Sequence, residues 1–132
     1  MNLISPHSKI IKRHQNPVGI ALGPVAFTII AYGLWSHSFL HILGGIIFET
    51  SLWFVIPEVE TPPQLIASVV EEEINWLNAK WDSLKLLSII LFVFASVLVF
   101  FGLWLRNIYC IAIGFSLLVI FAIFMKIIVK KK

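Results

Sequence analysis

Four apolar runs dominate this chain: Pro17 to Trp35, Phe39 to Ile56, Leu84 to Leu105 and Ile108 to Val129. Each is close to the ~20 residues a helix needs to cross ~30 Å of hydrocarbon at ~1.5 Å per residue. In lipid no water is available for unpaired backbone groups, so each run is expected to be helical. The breaks within each pair are short, Ser36-His37-Ser38 in the first and Arg106-Asn107 in the second. Connections this short join antiparallel neighbours. The expected fold is an all-α integral membrane protein with four transmembrane helices, paired as two hairpins at residues 17–56 and 84–132. The second unit includes the basic C-terminus.

Composition agrees with that reading. Charged residues make up 13% of the chain and hydrophobic ones 59%, with a mean hydropathy of +0.95. A soluble domain keeps about a quarter of its residues charged, so here most of the surface is expected to face lipid. A first segment with a basic front and an Ala31-Tyr32-Gly33 end has the outline of a signal peptide. The second apolar run follows after three polar residues, which favours a retained helix. The net charge of +3 does not imply a nucleic-acid partner, because the basic residues flank the apolar runs.

Those flanking charges set the orientation. Lys9, Lys12, Arg13, Lys80, Lys85, Lys126, Lys130, Lys131 and Lys132 fall on one side and Arg106 on the other. Lysine and arginine are retained on the cytoplasmic side during insertion, so both termini are expected there, in a plasma or inner membrane. Residues 1–16 then form a cytoplasmic basic tail.

Residues 57–83 form an acidic linker. Thr61 stands three residues before Gln64, the spacing of a capping box, so a helix is expected from Thr61 to about Asp82. At 100° per residue Ile66, Val70, Ile74, Leu77 and Trp81 share one side, widened by Leu65, Val69 and Trp76. Glu71, Glu72 and Glu73 add charge. Six acids stand against Lys80 and Lys85, a net of −4, which anionic lipid would repel. The helix is therefore expected to dock on its own bundle, or on a partner through Trp76, Trp81 and the glutamates.

The chain also matches itself at an offset of 69. Gly33-Leu34-Trp35 falls on Gly102-Leu103-Trp104, His37-Ser38 on Arg106-Asn107, Ile42 on Ile111 and Gly45 on Gly114. Ile20, Leu22 and Ala26 match Ile89, Leu91 and Ala95. Each unit holds two spans, so both copies insert alike and are expected around a pseudo-twofold axis along the membrane normal. Trp35 and Trp104 suit the aromatic belt, and the glycines allow close helix packing.

No catalytic signature is present: no Gly-x-Ser-x-Gly, no phosphate-cradling loop and no cysteine pair. One cysteine, Cys110, leaves no disulfide, iron–sulfur cluster or attached haem within the chain. No cofactor, metal site or catalytic residue is expected. His37 and His41 are four residues apart, a spacing that could share a metal, but no third ligand is evident on that side. Glu49 lies near the middle of the second run, where a carboxylate costs about 2.5–3.5 kcal/mol to insert and usually faces the bundle interior. His37, His41, Gly45 and Glu49 form one row, with Thr28 expected beside Glu49.

These features favour a small non-enzymatic accessory, assembly or scaffold subunit of a membrane complex, partnered by the bilayer and by another membrane protein or a second copy. A transporter or ion conduit using Glu49 is the alternative. The layout of two hairpins and a surface helix also resembles reticulon-type membrane-shaping domains in arrangement, although the acidic linker departs from them.

Overall fold

The computed structural model describes residues 9–130; His7, Lys131 and Lys132 lie outside them. The regular elements of the described residues are all helices, in the order α1 (Lys9–His14), α2 (Pro17–Ser36), α3 (Phe39–Val55), α4 (Gln64–Leu77), α5 (Ser83–Trp104) and α6 (Ile108–Lys130). Three of these, α2, α5 and α6, are long and apolar enough to cross a membrane. The fourth apolar helix, α3, has 17 residues. It stops because Ile56, which precedes Pro57, is extended at ψ 128°, as a residue before proline must be.

Helix α2 packs along α3, and α5 along α6. The two pairs are built alike. A β-carbon on Gly33 would lie 2.7 Å from the Ile42 nitrogen, and one on Gly102 would lie 2.9 Å from the Ile111 nitrogen. One on Gly45 would meet Ile30 and the Ala26 carbonyl, and one on Gly114 would meet Val99 and the Ala95 carbonyl. Ala26 and Ala95 are both fully buried. Every partner in the second pair stands 69 positions after its counterpart in the first. Contact between the pairs runs through α2 and α5.

Opposite the two turns, α1 and α4 cover the helix ends. Within the expected basic tail, residues 9–14 form α1, and Ile11 is buried in a small core with Val70 and Ile74 of α4, against which Ile66 packs. Trp76 packs edge-on to Phe121 of α6. The capping box does not form. Pro62 and Pro63 hold the chain extended, so α4 begins at Gln64 with no side-chain cap. It ends at Leu77 rather than near Asp82, which instead caps α5 by accepting from the Lys85 N–H at 2.8 Å. Trp81 thus falls outside the helix and is 63% exposed, and Leu65 and Val69 are also exposed.

Candidate functional site

Two polar clusters stand out, one at each end of the bundle. At the turn end, His37 and Arg106 both sit in the left-handed region, with φ of 55° and 54°. Glycine is usual there, and other residues give up about 1–2 kcal/mol. The turns close alike: Ser38 N–H donates to the Gly33 carbonyl and Asn107 N–H to that of Gly102, each at 2.8 Å. Both side chains then reach across to the other hairpin. His37 Nε2 donates to the Trp104 carbonyl at 2.9 Å, and Arg106 Nε donates to the Trp35 carbonyl at 2.8 Å. The contact is reciprocal, since Trp35 and Trp104, like His37 and Arg106, are 69 positions apart. Arg106 also approaches His37 Nδ1 at 3.4 Å, and the His37 ring meets Trp104 edge-on.

His37 and His41 do not share a helix face. His37 caps α2, whereas His41 lies in the first turn of α3, with its Nδ1 2.8 Å from the Ser38 hydroxyl and its ring against Tyr32. The expected polar row is therefore broken at the turn, and Glu49 stands two turns further along α3 than His41. Thr28 does not meet Glu49. It is exposed and donates to the Pro24 carbonyl of its own helix at 2.7 Å. The α2–α3 contact runs through Ala26, and a residue two positions later is carried ~200° around the helix, away from α3.

Glu49 instead faces the second cluster, at the α1/α4 end. A cavity of about 120 Å³ lies there, lined by Arg13, His14, Gly19, Gly23, Glu49, Leu52, Trp53 and Ile56. Arg13 donates to the Trp53 carbonyl at 3.1 Å and stands 3.9 Å from Glu58. His14 stacks on Trp53, with ring centroids 5.4 Å apart, and its Nε2 lies 3.4 Å from Glu73 of α4. The hydrogen bond to Glu73 raises the His14 pKa above the ordinary 6.5, burial opposes it, and the charges of Glu73 and Glu49 add to the rise. Arg13 Nε and Glu49 Oε2 are both buried and have no hydrogen-bond partner. Sequence reading placed Glu49 in mid-span and missed α1, because six residues with three basic side chains carry too little apolar periodicity to register.

Of the linker residues, Glu71 is exposed, Glu72 half-buried, and Glu73 is engaged by His14. A further functional group escaped notice among the flanking charges. Lys85 is buried to 1% exposure, and its ammonium donates to the carbonyls of Leu77 at 2.7 Å and Ala79 at 2.8 Å, with the Trp81 ring 4.7 Å away. It satisfies the open C-terminus of α4 from the first turn of α5. The signal was present in the sequence as a lysine three residues after a capping aspartate, aligned with the expected end of the linker helix. Comparison of the chain with protein families, with curated proteins and with solved structures finds no match.

Proposed function

We propose that this chain is a four-span integral membrane protein that acts as a non-enzymatic accessory or scaffold subunit of a membrane complex. The observation that carries this reading is how the polar groups of the apolar helices are engaged. Thr28, Ser36, Thr50, Ser51, Ser96 and Ser116 each donate to a carbonyl of their own helix. Hydroxyls engaged this way use their donors within their own helices, while the outer faces of α3, α5 and α6 present apolar side chains to lipid or to a partner helix. The equal-offset contacts of the two pairs and the reciprocal turn bonds support a tandem duplication about a pseudo-twofold axis. Positive flanks at the α1/α4 end support cytoplasmic termini, with α4 lying along that surface.

Purification from native membranes in mild detergent, followed by intact-complex mass spectrometry, tests the role. A stoichiometric complex with another membrane protein, or with a second copy, is the expected result; a monomer alone speaks against it. Cysteines at Ser38 and Asn107, in a Cys110→Ser background, are expected to label from outside intact cells, and one at Asn78 only after permeabilisation.

A conduit is the second reading, favoured by the cavity at Glu49 and the succession Glu49, His14, Glu73 toward α4. Flux of protons or cations into reconstituted vesicles, present in the parent protein and lost in Glu49→Gln, would establish it over the first.

A further inference from the structure

The cavity at Glu49 is unbalanced in both charge and hydrogen bonding. Arg13 has Glu58 as its counter-ion and His14 has Glu73. Among the described residues Glu49 has none of its own. With His14 in its charged form, the cluster holds two cations and three carboxylates, and Glu49 is the one carboxylate among them that lines the cavity, the other two being taken up by Arg13 and His14. Glu49 Oε2 lacks a donor and Arg13 Nε–H lacks an acceptor, and both residues line the same cavity of about 120 Å³. Buried polar atoms without partners are costly, and two of opposite kind in one small space call for a guest with both a donor and an acceptor. A few water molecules, at ~30 Å³ each, would meet the hydrogen bonds but leave the charge unmatched.

We propose that this cavity binds a short amino alcohol, whose ammonium donates to Glu49 and whose oxygen accepts from the Nε–H of Arg13. An ammonium carries three donors and the missing positive charge, and its bond to a carboxylate is charge-assisted. The apolar wall of Leu52, Ile56 and Trp53 accommodates a two-carbon stem. The same chemistry is available from free ethanolamine and from a phosphatidylethanolamine headgroup, where a phosphate ester oxygen replaces the hydroxyl. A quaternary amine of the choline type has no N–H to offer Glu49.

The test is calorimetric titration of the full chain in phosphatidylcholine–phosphatidylglycerol nanodiscs with ethanolamine and with choline. Ethanolamine is expected to bind at least about tenfold more tightly than choline. Glu49→Gln is expected to lose a similar factor, and Glu60→Gln, whose carboxylate pairs with Lys12 outside the cavity, to keep full affinity. Substituting phosphatidylethanolamine for phosphatidylcholine distinguishes the sources: a suppressed titration assigns the headgroup, and an unchanged one the free amine. Equal affinity for ethanolamine and choline, no binding of either, or full affinity in Glu49→Gln would each overturn the proposal and leave a cavity that holds water only. The ethanolamine–choline comparison on the unaltered protein stands even if the Glu49 variant fails to fold.

Discussion

Arg106 donates to the Trp35 carbonyl at 2.8 Å, and the residue that precedes it by 69, His37, donates to the carbonyl of Trp104. Each turn thus holds the backbone of the other, and two residues occupy a strained conformation to do so. Arg106→Ala is expected to destabilise the folded protein by about 1 kcal/mol, a modest figure because the bond is exposed. His37→Ala is expected to have a similar effect. The double variant should fall short of the sum, because Arg106 and His37 also contact each other. Reversible unfolding in mixed micelles measures all three.

The glycines divide sharply. A β-carbon on Gly33 or Gly102 meets backbone of the neighbouring helix under 3 Å away, whereas one on Gly23 or Gly44 meets nothing within 4 Å. Gly33→Ala and Gly102→Ala are therefore expected to cost about 1–3 kcal/mol each by forcing the helices apart. Gly23→Ala and Gly44→Ala are expected to be neutral or to stabilise by up to about 1 kcal/mol through helix propensity. The same micelle unfolding distinguishes the sets, and equal losses at all four positions would refute the packing argument.

Lys85→Met keeps the length of the stem and removes the ammonium. The Leu77 and Ala79 carbonyls then lose a donor, which is expected to cost about 1–3 kcal/mol. The loss should appear locally, as faster amide exchange across the last turn of α4 and residues 78–82, with the α5–α6 pair unaffected.

The contact of α1 with α4 depends on pH through His14. Its folded-state pKa is raised above 6.5 by Glu73, so its contribution is complete below that value and is lost as pH rises through the folded-state one. Glu73 and Glu49 both act on this imidazole, Arg13 lines the same cavity, and Trp53 covers one face. Protection of the α1 amides, corrected for the intrinsic pH dependence of exchange, should therefore fall as pH rises through the folded-state pKa of His14. Glu73→Gln should flatten that dependence. An unchanged pH profile in this variant would show that the pair does not hold the helix.

Much of the helical layout was legible because apolar runs of membrane length leave a chain few alternatives. Both turns, the Gly-Leu-Trp segments before them and the break at Pro57 are written in residue types whose backbone preferences are strong. The linker helix was legible in kind but displaced at both ends. Thr61 and Gln64 have capping-box spacing, yet two intervening prolines forbid the turn. The candidate site was less legible. Thr28 and Glu49 looked like neighbours by depth, but depth does not specify azimuth, and azimuth followed from Ala26 packing on Gly45. Arg13 and His14 were invisible as site residues because their position depends on Ile11 meeting Val70 and Ile74, more than fifty residues away.

Helix α3 has 17 residues and α6 has 23, a difference of ~9 Å at ~1.5 Å per residue. Lys126 and Lys130 stand in that excess, so the apolar part of α6 ends at Met125 and is close to α3 in length. In a bilayer that embedded both helices, the surplus turns of α6 would reach past the hydrocarbon on the side where α4 packs against it. The two pairs would then present similar apolar lengths to lipid and differ only beyond it, where the longer helix carries its lysines into water and gives α4 a wall to lie against.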